Sequence, residues 1–473
     1  MKKEKKLQDA IGMIGEDLVN EAKEIPKKNQ KAKKIKWTAA IAPCLALCLI
    51  IGAAFIPGWN TVSPKAFAVS LAEYPDMPDY PGRGNNEAKY KEWGTYRNKN
   101  RDAYKKLDLD LDSFFTTTIP EFLSDADGKN RVYSPLNVYM ALAMTAEITD
   151  GESREQILSL LGASDIETLR REANVIWNAN YVDDGSKKTV LASSLWMNDE
   201  VSFKKDTLER VSENYYASSF SGDVTSEEYT KAFRKWLSEQ TGGLLDDSIE
   251  QLEFSPETVM ALATTVNFYA RWDAEFNKDK TKDAVFHGTD GDAMCEFMYA
   301  SYYDTYYWGE KFSAVEQGFT DGGSMLFILP DEGVSAEELL SDAQTMNFII
   351  GNDRKNNKYL KVNRSIPKFD VASELNLTKG LQNLGIADIF SFERSDFSPL
   401  TDDTSVALSQ ATHGARVMID EEGCTAVAFT ALQYAGSPPP PDDVVDFVLD
   451  RPFIFVITSQ TGLPLFVGVV NNI

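Results

Sequence analysis

The sequence predicts an α+β protein, and three patterns carry that prediction. Along residues 424–431 the side chains alternate: Cys424, Ala426, Ala428 and Thr430 are small, while Thr425, Val427 and Phe429 occupy the other parity. Side chains point to opposite faces along a strand, so this stretch can enter a sheet with its small face toward a crowded core. Met325-Leu326-Phe327-Ile328-Leu329 is apolar without a break and ends in Pro330-Asp331-Glu332-Gly333, as a strand buried on both faces and closed by a turn should be. Leu7, Ile11, Ile14 and Leu18 recur instead at helical spacing and predict a short amphipathic helix ending by Ala22.

Composition bounds the rest. A chain of 473 residues, 43% hydrophobic and 25% charged, has the content of a globular protein with one very large or two ordinary domains. Its net charge of −24 is uneven, because up to Lys36 eleven Lys face six acidic residues and residues 37–57 carry no charge. The remainder therefore holds nearly all the acidic excess. Such a body excludes nucleic acid as a partner, since binding there rests on neutralising phosphates with Lys and Arg. The charge reads as a well-solvated surface.

In chain order, residues 1–36 form a basic tail placed in the cytoplasm. Residues 37–57 are uncharged and mostly apolar, long enough to cross a bilayer, with lysines dense before them and nearly absent just after. The expectation is an uncleaved single-pass anchor that leaves the body outside the cell membrane. The competing reading is a secreted protein released at Ala66-Phe67-Ala68, against which stands the long leader before the apolar run. Pro43 before Cys44 and Leu47 before Cys48 do not suit a lipoprotein box. Residues 58–104, rich in Pro, Gly, Asn, Tyr and charge without a sustained period, read as a stalk or linker, and 105–473 as the folded domain.

Catalysis finds little support. The only histidines are His287 and His413, neither in a nucleophile or zinc motif, and phosphate-cradling glycine loops are absent. Cys295 and Cys424 are isolated, with no disulfide framework or zinc spacing. Neither an enzyme nor a bound metal or cofactor is expected. What stands out is the stretch after the alternating strand: residues 432–443 contain Pro438-Pro439-Pro440-Pro441, which removes backbone donors and keeps the chain extended and solvated. A strand-competent arm attached to an exposed loop suggests a bait that is cut and then inserted.

These residues resemble a known family. Glu421-Glu422-Gly423, the run of small residues after it, and Asp450-Arg451-Pro452-Phe453-Ile454-Phe455 are similar to the reactive-centre loop and C-terminal strands of serpins. Further matches appear in family order: Val132-Tyr133-Ser134-Pro135-Leu136 running on to Leu142, Gly151-Glu152-Ser153-Arg154, the apolar strand at Met325, Ile366-Pro367-Lys368-Phe369, Leu381-Gln382-Asn383-Leu384-Gly385, and Asp396-Phe397-Ser398. The resemblance covers nearly all of the body. It implies a large mixed central sheet with further sheets, about eight or nine helices and an exposed loop. The leader is similar in style to those of Gram-positive gut bacteria.

The resemblance also implies a function and a site. A serpin inhibits serine proteases by suicide: the protease cuts the loop, is held as an acyl-enzyme, and the freed arm inserts into the main sheet. The hinge would be Glu421, Glu422, Gly423, Cys424, Thr425, Ala426, Val427, Ala428, Phe429 and Thr430, with Gly423 supplying unusual backbone angles and Cys424 standing where Thr is usual. The sheet-opening region would include Ser134, Asn137, Thr264, Trp272 and His413. Asn137 and Thr264 depart from the family's usual Ser and Asn, so the amide and hydroxyl are expected to have exchanged sides. His413 is either a satisfied core histidine or a pH sensor.

Family spacing places the cut at Ser437, but Pro438 would then follow it. The reactive bond is therefore expected among Tyr434, Ala435, Gly436 and Ser437, which favours an elastase-like or subtilisin-like target over a chymotrypsin-like one. The expected protein is a monomer acting on extracellular proteases. The alternatives are a serpin fold that no longer inhibits and serves as a binding or structural surface, and a membrane-tethered scaffold.

Overall fold

The computed structural model describes residues 62–82, 86–107, 109–244, 246–250, 252–424 and 443–473. Its strands are β1 (Ala68–Ser70), β2 (Arg131–Tyr133), β3 (Val182–Asp183), β4 (Lys188–Asn198), β5 (Ala217–Gly222), β6 (Met260–Arg271), β7 (Lys282–Gly288), β8 (Gly291–Trp308), β9 (Phe312–Gly318), β10 (Ser324–Pro330), β11 (Asn357–Pro367), β12 (Phe369–Asn376), β13 (Leu408–Ile419), β14 (Gly423–Cys424), β15 (Val444–Val448), β16 (Phe453–Thr458) and β17 (Pro464–Val470). The longer helices are α1 (Glu87–Tyr104), α2 (Asp112–Leu123), α3 (Pro135–Glu147), α4 (Gly151–Leu161), α5 (Ile166–Asn180), α6 (Lys205–Tyr215) and α7 (Glu227–Thr241).

Two mixed sheets result, which is the α+β architecture expected. The first has eight strands in the order β1-β5-β4-β6-β14-β13-β12, with β3 pairing β4; the second has nine, β15-β11-β8-β9-β10-β16-β17-β2, with β7 pairing β8. The uninterrupted apolar run at Met325 is β10, an inner strand of the second sheet between β9 and β16. Pro135 opens α3, where its fixed φ and missing N–H cost nothing. Every residue of α3 is buried, so this helix is core on all sides. It belongs to one large core with the inner residues of both sheets, while Trp196, Phe220, Tyr229, Phe233, Trp236 and Phe254 form a second core under α7.

The region expected to be a stalk is, from Val62 onward, part of the fold. β1 extends the first sheet by pairing antiparallel with β5. Residues 87–104 form α1, begun by Asn86, whose side chain accepts from Lys89 N–H. The Ala66-Phe67-Ala68 triplet lies within this region too, with Phe67 packed edge-on against Tyr229. The sequence reading missed this because the segment is held by edge pairing and by scattered side chains such as Phe67, Val69, Tyr74 and Met77, whose spacing follows no single apolar period.

The expectation of a single-pass membrane protein is corrected. Among the described residues no helix is long and apolar enough to cross a membrane. The helix expected at residues 7–22 and the apolar run at 37–57 lie outside the described residues.

Candidate functional site: a hinge seated in a half-open seam

β6 and β13 are parallel neighbours over only part of their lengths. They pair directly from Leu408↔Met260 to Gly414↔Thr265. At the far end β14 lies between them, antiparallel to both, with Gly423↔Arg271, Cys424↔Ala270 and Ile419↔Cys424. In between, residues 266–269 of β6 and 415–418 of β13 pair, among the described residues, only with their outer neighbours β4 and β12. The seam is closed below, parted above, and occupied at its upper end by Gly423 and Cys424, which belong to the expected hinge.

Several groups hold the hinge there. Trp272 N–H donates to Glu422 O at 3.1 Å and Phe276 N–H to Glu421 O at 2.9 Å. The Trp272 indole N–H donates to Asp420 O at 2.9 Å, and its ring stacks on Phe319 with centroids 5.0 Å apart and planes 8° from parallel. Asp420 accepts from Glu422 N–H and Gly423 N–H at 2.8 and 3.1 Å, which bends the chain into the sheet. Glu421 is buried, with Thr281 Oγ1 and Lys368 Nζ at 2.7 and 2.9 Å. Burial pulls its carboxyl pKa upward, but the hydrogen bonds from Thr281 and Lys368 outweigh it and leave the pKa below the ordinary Glu value. Lys278 pairs with Glu422.

Gly423 is needed for a reason other than the one expected. Its φ is not among the left-handed glycines. A Cβ on it would stand 2.3 Å from Ala270 O and 2.8 Å from Arg271 Cα, so the requirement is close approach of two backbones. Cys424 is fully buried in the main core beside Ala270. A small side chain is what that position accepts.

The lower seam is backed by polar side chains from α3 and the residue before it. Asn137 Nδ2 donates to Thr264 Oγ1 and, at 2.9 Å, to Thr265 O. His413, opposite Thr264 in the register, accepts at Nε2 from Ser134 N–H at 3.0 Å. Ser134 thus takes part through its backbone, and its hydroxyl has no hydrogen-bond partner among the described residues. His413 is fully buried, and burial pushes its pKa down to about 3, so the ring is neutral at physiological pH. The structure therefore gathers Ser134, Asn137, Thr264 and His413 under the closed half of the seam and Trp272 with Glu421–Cys424 at the open end.

The remaining hinge residues, Thr425, Ala426, Val427, Ala428, Phe429 and Thr430, and the reactive-bond residues Tyr434, Ala435, Gly436 and Ser437, lie outside the described residues. Lys368, Thr281, Asp420 and Phe319 were missed as site residues. Lys368 stood inside a motif already noted, and its charge next to Pro367 and Phe369 was the available signal.

Comparison with known proteins identifies the family. The family described as Serpin (serine protease inhibitor) matches residues 111–473. This chain is a serpin. It is 28% identical over 380 residues to alpha-1-antiproteinase of Rattus norvegicus, covering 78% of this chain and 89% of the relative. Serpin-ZX of Arabidopsis thaliana is 25% identical over 388 residues, covering 77% and 96%. The thermophilic serpin Tengpin in the native state superposes with a TM-score of 0.70 at 25% identity, over 86% of this chain and 100% of Tengpin. Thyroxine-binding globulin in complex with thyroxine shares the serpin fold, with a TM-score of 0.66 at 21% identity over 76% and 99%. Neither the bacterial style of the leader nor a membrane anchor is carried by these likenesses.

Proposed function

We propose that this serpin is a suicide inhibitor of serine endopeptidases, with elastase-like or subtilisin-like enzymes as the favoured targets and the cut among Tyr434, Ala435, Gly436 and Ser437. The observation that carries this reading is the half-open seam with Gly423 and Cys424 already in it. The protease serine oxygen attacks the scissile carbonyl carbon, the peptide bond breaks, and the new amine leaves with the chain that continues to Asp443. An ester then joins protease and arm. From there the arm extends β14.

The register supports the fit. Continued from Gly423↔Arg271, it sets Ala426 opposite Phe268, Ala428 opposite Val266 and Thr430 opposite Thr264. On the β13 side the same residues meet Val417, Ala415 and His413. Phe268, Val266, Val417 and Ala415 belong to the main core, where large incoming side chains would overpack by about 1 to 3 kcal/mol each. The small parity of the arm faces that core. Val427 and Phe429 take the opposite parity, toward half-buried Asn267 and Arg416 or their neighbours. Thr430 arrives between Thr264 and His413, so full insertion parts the polar contacts that close the lower seam. The stored difference between uncut and inserted forms is kinetic in kind.

The test is to mix the full-length protein with pancreatic elastase, subtilisin and chymotrypsin, then run denaturing gels and mass spectrometry. A denaturant-stable complex, with a released peptide beginning between Ala435 and Pro438, is expected. Clean cleavage without complex or gain in heat stability would assign the chain to the serpins that do not inhibit.

A further inference from the structure

Residues 62–104 precede the family match and hold the first sheet from two sides. β1 covers the outer edge of β5, with Ala68↔Phe220 and Ser70↔Ser219, and Ala72 N–H adds a bond to Ser218 Oγ at 3.1 Å. The chain then reaches the turn before β4, where Tyr80 N–H donates to Asp184 O at 2.8 Å. α1 follows, and Trp93 and Arg97 are its buried residues.

Those two side chains bridge separate parts of the molecule. Trp93 Nε1–H donates to Asp184 Oδ2 at 3.0 Å, on the first sheet. Arg97 lies over the Trp93 ring, its Cζ 4.8 Å from the centroid, and donates to Asp321 O at 3.0 Å and to Gln460 Oε1. Asp321 is in the β9–β10 turn and Gln460 in the β16–β17 turn, both on the second sheet. The receiving turn is tightly built: Asp321, Gly322 and Gly323 all have left-handed φ, 63°, 101° and 82°. Buried Lys187, three residues after Asp184, donates to Gly322 O. Desolvation lowers the Arg97 pKa, so its charge is held by these acceptors and by Asp184 nearby rather than by water.

Opening the seam must move the group β1-β5-β4-β6 away from β13 and β12. β12 is tied to the second sheet, since Val132 N–H of β2 donates to Ser373 Oγ at 2.8 Å. The moving group therefore slides relative to the second sheet, against the bonds from Thr320 N–H to Arg271 O at 2.8 Å and from Asp273 N–H to Gly318 O at 3.0 Å at the end of β6, and the Trp93–Arg97 pair adds a further tie across that boundary. We infer that α1 is a brake: it fastens the turn at Asp184 to the turns at Asp321 and Gln460 and slows parting of the lower seam until cleavage drives the arm in. This rests on the proposed insertion of the arm, and it adds a control that the inhibitory reading alone does not require.

Uptake of a free strand tests the brake without any protease. A fluorescent synthetic peptide copying residues 425–437 is incubated with the full-length protein, and the complex is followed on native gels. Arg97→Ala and Trp93→Phe should take up the peptide about ten-fold faster than the unaltered chain, as loss of a buried charge-assisted bond implies. Trp93→Phe keeps an aromatic ring beneath Arg97 while removing the indole N–H that bonds Asp184, so it decides the matter if Arg97→Ala does not fold. Equal uptake in the unaltered and Trp93→Phe chains overturns the brake and leaves insertion standing. No uptake in any chain overturns insertion, and the brake with it.

Discussion

The two halves of the β6–β13 seam are built on different principles. In the upper half the strands are apart, and what fills the space is a two-residue strand fixed mainly through backbone bonds and the Glu421 cradle. In the lower half the strands bond to each other and rest on buried side chains, Asn137 and His413, whose partners are fully committed to the closed arrangement. On the proposed mechanism, an arm entering from above meets its first directly paired residues at Thr265 and Gly414. If the arm inserts as proposed, the resistance lies in the lower half, while the upper half aims the arm.

The strongest way to break this contrast is at the upper end. Gly423→Val puts a side chain where a first carbon alone would stand 2.3 Å from Ala270 O, a backbone atom that cannot swing away. The hinge should leave the seam, and the cut protein should appear as cleaved product rather than covalent complex, with the ratio changed by at least about ten-fold. The measurement is the stoichiometry of inhibition against elastase. An unchanged ratio would mean that the seated hinge plays no part in insertion.

The lower end is tested by Asn137→Ala. The change leaves Thr265 O without its side-chain donor and opens space beneath β6, so the uncut form should lose about 2 to 3 kcal/mol in urea unfolding. The cleaved, inserted form should lose less, because the closed seam it supports no longer exists. Equal losses in both forms would place Asn137 in the general core instead.

This contrast was only partly legible in the sequence. The apolar run at Met325 announced an inner strand, because that signal is local, whereas the alternating arm beyond Cys424 lies outside the described residues. Asn137 and Thr264 were named as a pair, and they do bond, yet they are far apart in the chain and only family order brought them together. The seated hinge was not legible: it depends on Ala270, Trp272 and Ile419 meeting Gly423 and Cys424, which no local pattern encodes. The segment before the family match was misread for a related reason. α1 buries only Trp93 and Arg97, so it shows no apolar stripe, and β1 is three residues long. Asn86 as a cap before Glu87-Ala88-Lys89 was the signal passed over.

Acid separates the halves by another route. His413 stays neutral in the folded chain down to about pH 3, whereas an unfolded histidine takes a proton near pH 6.5. Below about 6.5 the unfolded chain therefore binds a proton that the folded one refuses, and stability falls with falling pH. The loss attributable to His413 should be about 2 kcal/mol at pH 5 relative to pH 7. Urea midpoints for the unaltered chain and His413→Gln at both pH values measure it. Equal slopes would remove His413 as the source.

The mildest change sharpens the upper end. Glu421→Gln keeps a side chain able to accept from Thr281 and Lys368 but removes the charge, and Lys368 is partly exposed, so solvent screens part of the loss. A cost of about 1 kcal/mol at pH 7 is expected. The sign with pH is the reverse of a raised acid: the folded carboxyl titrates below its unfolded value, so its contribution is complete above the ordinary Glu range and disappears as pH falls through the folded value. The gap between Glu421→Gln and the unaltered chain should accordingly close on acidification. Because Glu421 holds the hinge and not the lower seam, the double variant with Asn137→Ala should show nearly additive losses. A coupling larger than about 0.5 kcal/mol would show instead that the two halves open as one unit.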